Sequence, residues 1–104
     1  MDEQTRLVHH VRDVVASYYG FDHGWSLNSK KRSRSHSLPR KIAGYLLRDL
    51  TGWGYLDVAM AMNRTNHATA IYWVEWVESA MKRDPSFAAT VAMLRERVLL
   101  KVSA

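Results

Sequence analysis

Apolar residues return along this chain at intervals of three and four, the spacing of one helix face, and no stretch alternates convincingly as a strand would. The pattern predicts five helices. The first covers residues 3–19, with Leu7, Val11, Val14, Val15 and Tyr18 on its apolar side and Gly20 where a C-cap belongs. Residues 21–38 read as a long connection rich in Ser, Lys and Arg, and a connection of that length in a small domain is usually functional or disordered. Pro39 is expected to open the second helix at its first turn, where a missing N–H costs nothing. Ile42, Tyr45, Leu46 and Leu50 form that helix's buried stripe, and Thr51-Gly52 ends it.

A short third helix is predicted over residues 55–62, with Leu56, Val58, Ala59 and Met62 as its apolar positions. Asn63-Arg64-Thr65-Asn66 is a tight turn, and Thr65 or Asn66 can cap the fourth helix, residues 66–82. The fifth follows Asp84-Pro85-Ser86, capped by Asp84 or Ser86, and turns Phe87, Val91, Leu94, Val98 and Leu99 inward. The aromatics Trp53, Tyr55, Tyr72, Trp73 and Trp76 are assigned to the core.

The chain has 104 residues, the size of one domain, 1–104, able to bury a core without metals or disulfides. It has no cysteine, which excludes disulfides, thiolate metal sites and cysteine nucleophiles. No apolar run approaches the roughly 20 residues of a membrane helix. The start Met-Asp-Glu-Gln-Thr-Arg lacks the basic and apolar regions of a signal peptide, so a cytoplasmic protein is expected. There is no G-x-x-x-x-G-K-[ST] loop, hence no expected nucleotide or cofactor. Starting just ahead of the first helix, the chain is expected to be a stand-alone small module.

Charge changes the picture more than composition does. The net charge is +5, but Lys30, Lys31, Arg32, Arg34, Arg40 and Lys41 fall within twelve positions that contain no acid. Elsewhere there are nine basic and ten acidic residues, so the excess is local. A local basic block points to a polyanion, most often nucleic acid. A solvated loop is the plainer alternative.

Helices three and four are short, adjacent and joined by about four residues, the pattern of a helix-turn-helix. In such motifs the N-terminal residues of the second helix meet base edges in the major groove. Here that turn reads Asn66-His67-Ala68-Thr69. Asn can pair with adenine, His can donate to guanine acceptors, and Thr offers a hydroxyl or a methyl. Ala68 and Ala70 can pack on a thymine methyl. An ordinary capped helix start with a surface histidine would look the same locally.

Taken together these segments resemble the C-terminal DNA-binding domain of the bacterial chromosomal replication initiators, the DnaA family. Residues 29–41, SKKRSRSHSLPRK, are similar to that family's basic loop and the Pro-Arg-Gln that starts its next helix. Residues 43–52, AGYLLRDLTG, are similar to its helix ending in E-L-T, and Asn66-His67-Ala68-Thr69 lines up without gaps on its D-H-T-T signature. The resemblance runs from about Leu7 to Leu99. It implies an all-α, Trp-repressor-like helix-turn-helix of a bacterial or phage protein associated with the nucleoid. It implies sequence-specific binding of double-stranded DNA, in replication initiation control or transcription regulation. It places Arg32 in the minor groove and Arg40 on the minor-groove side. It places Asn66, His67, Ala68 and Thr69 in the major groove and Arg48 on a phosphate.

Departures from the family pattern fall on reading positions. Asn66 stands for an Asp, and Ala68 for a Thr. Lys41 stands for a Gln and favours phosphate over a base. Asn63-Arg64-Thr65 replaces a Gly-Gly-Arg turn, with Arg64 supplying a similar charge one position earlier. DNA binding with an altered base preference is therefore expected.

Two other classes compete. An enzyme or metal site would have to use His9, His10 and His23, but adjacent histidines face different sides of a helix and no acid completes a ligand spacing. A protein-interaction module or homodimer could use Trp53, Trp73 and Trp76 as an exposed patch.

Overall fold

The computed structural model describes residues 2–21 and 34–103. The first helix, α1 (Glu3–Tyr18), is opened by Asp2, whose side chain accepts the Thr5 N–H at 2.7 Å. That backbone bond, first among several, holds the Asp2 carboxyl below its ordinary value. At the other end the Phe21 N–H reaches the Ala16 carbonyl and the Gly20 N–H reaches that of Ser17, with Gly20 at φ +86°. This is the Schellman arrangement, which needs a left-handed residue at its corner.

The second helix, α2 (Arg34–Thr51), begins five residues earlier than the sequence predicts and carries Pro39 inside it. Proline there forfeits one helical hydrogen bond. Tertiary contacts hold the extra turn: the His36 ring lies 4.7 Å from that of Phe21, and Leu38 packs on the core. Helices α3 (Tyr55–Ala61), α4 (His67–Arg83) and α5 (Pro85–Ser103) follow the predicted order, and no strand occurs among the described residues.

Only Asp84 separates α4 from α5. Its N–H closes the last turn of α4 on Ala80, while its side chain accepts from Ser86 and Phe87 at 3.0 and 3.2 Å. Pro85 occupies the first helical position, where its ring is pre-shaped for the helix. Asp84→Ala is expected to cost about 0.5–2 kcal/mol, read as a lowered urea midpoint. Asp84→Asn keeps an acceptor and is expected to recover most of that loss.

The core is built around α2 and α4, with Ile42, Leu46 and Leu47 from α2 and Trp73 and Val77 from α4. Val11 and Val15 of α1, Val58 and Met62 near α3, and Leu94 and Val98 of α5 complete it. Helix α2 passes over Trp73 at Gly44, where a Cβ would fall 2.4 Å from the indole Cε3.

Four core assignments are corrected, three from periodicity and one, Tyr72, from its aromatic character. Leu99 is 36% exposed, because Val91, Leu94 and Val98 already define the inward face of α5 and the next residue turns away by about 100°. Tyr18 and Leu56 are exposed, and on α1 Val8 takes a core place. Tyr72 is 55% exposed, one position from buried Trp73.

Candidate nucleic-acid interface

The turn between α3 and α4 is a second Schellman motif. The Arg64 N–H bonds the Ala59 carbonyl at 2.8 Å, and the Asn63 N–H bonds that of Met60 at 3.0 Å. Asn63 takes the left-handed corner at φ +60°, a conformation that Asn tolerates better than most residues. Asn63 thus does what glycine does in the family pattern.

Two residues on, Asn66 caps α4. Its Oδ1 accepts the Ala68 N–H at 2.9 Å, and its carbonyl accepts the Thr69 N–H at 3.1 Å. The oxygen of this side chain is therefore turned onto the helix, leaving the amide NH2 as its outward chemistry. Asn66, His67 and Ala68 are exposed, and Thr69 is half-buried.

Thr69 leads into a cleft of about 210 Å³ between α2 and α4, lined by Ser37, Arg40, Lys41, Arg64, Thr69, Tyr72 and Trp73. The lining holds three cations and three hydroxyls and no carboxylate. Arg40 is only 6% exposed. Burial, and after it the nearby Arg64 charge, pushes its guanidinium below the ordinary value. Arg64 donates to the Asn63 carbonyl at 3.1 Å. Lys41 stands at the rim with Nζ 4.2 Å from the Trp76 ring centre and 5.4 Å from that of Tyr72, within cation–π range.

Four predicted residues, Arg40, Lys41, Arg64 and Thr69, thus meet in one cleft, with Asn66, His67 and Ala68 exposed on the turn beside it. Arg48 is elsewhere, about 12 Å further along α2. It donates to the Trp53 carbonyl and lies 4.4 Å over the Tyr55 ring, tying the α2–α3 joint. Arg34 is the first residue of α2, and Lys30, Lys31 and Arg32 lie outside the described residues. Ser37 and Tyr72 were missed. Each sits three positions from a predicted residue on its own helix, Arg40 and Thr69, and that spacing was the available signal.

Other chemistry finds little support. Among the described residues no group of His, Cys, Asp and Glu is placed to hold a metal ion. His9 Nδ1 accepts from Arg12 at 2.9 Å, and His23 lies outside the described residues. A three-tryptophan surface patch is ruled out by Trp73, which is 5% exposed beneath the cleft. No helix among the described residues is long and apolar enough to cross a membrane.

An all-α bundle whose α3–turn–α4 unit presents a polar helix start beside a basic cleft defines a helix-turn-helix protein. The chain belongs to the bacterial DnaA helix-turn-helix family: the family model described as "Bacterial dnaA protein helix-turn-helix" matches residues 8–77. It is 37% identical over 97 residues to the chromosomal replication initiator protein DnaA of Lachnoclostridium phytofermentans, covering 93% of this chain and 21% of that one. To the same-named protein of Aquifex aeolicus it is 32% identical over 92 residues, covering 88% and 23%. A crystal structure of a DNA replication initiation factor superposes with a TM-score of 0.84 at 29% identity, covering 96% of this chain and 30% of that one. The chain thus spans about a fifth of the length of these initiator proteins.

Proposed function

We propose that this chain binds double-stranded DNA, with α4 laid in the major groove and the basic residues Lys30, Lys31, Arg32 and Arg34 directed toward the adjacent minor groove. The observation that carries this reading is the acid-free cleft of Arg40, Lys41 and Arg64 beside the exposed Asn66-His67-Ala68 start of α4. Cations flanking a helix N-terminus supply phosphate affinity, and the short side chains of its first turn supply readout. Arg48 retains guanidinium donors beyond the one on Trp53, and a phosphate near the α2–α3 joint can take them. Membership in the initiator family favours a role at replication origins, or in transcription control through similar sites, in a cytoplasmic protein associated with the nucleoid. The chain acts here by binding and not by catalysis.

Binding measured across a salt series tests the reading. With about four to seven phosphate contacts, log Kobs against log salt is expected to fall with a slope of about −4 to −6. Failure to bind any duplex at low salt overturns it. His67→Ala is expected to reduce preference for the best site over a mismatched one by about 1–3 kcal/mol, measured by competition. Equal weakening on every sequence would show that His67 does not read a base.

A further inference from the structure

We propose that the chain pairs with a second copy of itself through an apolar strip that runs from α3 across Trp53 to the end of α5. Exposed apolar side chains concentrate there. Five of the seven large hydrophobics exposed among the described residues, Leu56, Met60, Leu99, Leu100 and Val102, stand on α3 or at the end of α5. Met60 is 62% exposed and Val102 45%. Two grooves join these ends. One, of about 560 Å³, has Val8, Trp53, Met60 and Ala61 as its apolar lining. The other, of about 370 Å³, has Leu7, Leu50, Trp53 and Val102. Trp53 belongs to both, so the strip is continuous. A run of apolar surface with a polar rim marks an interaction site on a small protein.

Charge along the strip says what covers it. The α3 end is acidic: Asp2 and Asp57 line its groove, and among the described residues that lining holds no cation. The α5 end leans the other way, with Arg6 and the exposed Lys101, next in the chain to Val102, set against Glu3. An apolar strip that is negative at one pole and positive at the other is complementary to its own copy turned through 180°. A two-fold axis near Trp53 brings the two Trp53 rings together. It sets Met60 against the second copy's Val102, and Asp57 against the second copy's Arg6. An isologous contact of this kind closes as a dimer and does not propagate into a fibre. Tryptophan near the axis is the residue type that most often anchors an interface. A uniformly acidic partner would be repelled at the α3 pole and a uniformly basic one at the α5 pole. Among the described residues the two grooves share no residue with the cleft of Arg40 and Arg64, so pairing leaves that cleft uncovered. One consequence rests on the DNA-binding reading: two α4 starts related by a two-fold axis meet sites in inverted orientation.

Sedimentation equilibrium of the full chain without DNA reads the pairing separately from any DNA binding. A reversible monomer–dimer equilibrium is expected, with a dissociation constant on the order of 10–100 μM for an interface at the small end of the range. Met60→Asp puts a further carboxylate into the acidic groove at an exposed position and is expected to weaken pairing by about tenfold or more. Asp57→Lys and Arg6→Glu each set like charges together across the axis. Each is expected to weaken pairing by about tenfold, since the two-fold axis doubles the change. Thermal melting checks that all three variants keep the fold. Mixed in equal amounts, the Asp57→Lys and Arg6→Glu chains are expected to form a heterodimer of natural strength, because every pair across the axis is again of opposite sign. A natural chain that stays monomeric at about 1 mM overturns the proposal. So does a dimer that Met60→Asp and both charge reversals leave intact. A mixture no stronger than the separate variants overturns it as well, because Asp57 and Arg6 then do not face each other.

Discussion

Cutting Trp73 back to alanine is expected to cost about 3–5 kcal/mol, against a total stability of about 5–15 kcal/mol for a typical domain. Trp73 lies at the crossing of α2 and α4 and is 5% exposed. Removing the indole empties space that neither helix can refill without moving. The backbone of α2 already passes as close as glycine permits, since a Cβ on Gly44 would stand 2.4 Å from the ring. The converse substitution follows from the same contact. Gly44→Ala would gain helix propensity at an ordinary position, by about 1 kcal/mol. Here it is expected to destabilise by about 1–3 kcal/mol, because the ring cannot retreat from a packed core. Urea unfolding followed by circular dichroism reads both. Combining Gly44→Ala with Trp73→Phe is expected to cost less than the sum of the single changes, since the smaller ring relieves the clash. Strict additivity, or a neutral Gly44→Ala, would show that the crossing tolerates a methyl group. DNA affinity should fall with the fold in Trp73→Ala, because the same indole backs the basic cleft.

Helix existence was legible from periodicity, and helix ends from their chemistry. Gly20, Asn66 and Asp84 each do at a helix end what their residue type suggests. The start of α2 was not legible, because Pro39 is the strongest local signal for a first turn and its competitors are distant. The turn before it is held by Phe21 against His36 and by Leu38 on the core, contacts that exist only once α1 and α2 have packed. The same limit applies to the site. The charge block identified Arg40 and Lys41, the helix-turn-helix spacing Thr69, and the family resemblance Arg64, each as a separate candidate. That they share a cleft depends on where α2 crosses α4, which Gly44 and Trp73 set and no local pattern records. Tyr72 was assigned to the core because aromatic residues usually go there. Its neighbour Trp73 took that place, and a helix cannot turn two successive side chains the same way. The resemblance assigned Arg48 to a phosphate, and no local pattern records that its bond to Trp53 and its stacking on Tyr55 also engage it in the α2–α3 joint.

Asn66→Asp is expected to invert the base preference at one position of the target site while leaving the fold intact. Either side chain can cap α4 through an oxygen that accepts the Ala68 N–H, so stability should change little. What differs is the group left facing outward. With its Oδ1 turned onto the helix, Asn66 offers an amide donor and favours edges that accept, such as guanine O6 and N7 or thymine O4. The two-bond pairing of Asn with adenine needs the oxygen as well, so the cap disfavours it. Aspartate offers only an acceptor and favours the cytosine N4 donor. Each preference is worth about 1–3 kcal/mol of discrimination. The added negative charge also weakens binding to every sequence, by repulsion from phosphate, so the informative quantity is the ratio between duplexes and not affinity on any one of them. Competition among four duplexes that differ at a single base pair, repeated across the site, would locate the position. A ratio that favours an acceptor edge for the natural chain and cytosine for Asn66→Asp is the expected result. Identical ratios for both proteins at every position would mean that Asn66 only caps the helix and that base choice rests with His67 and its neighbours.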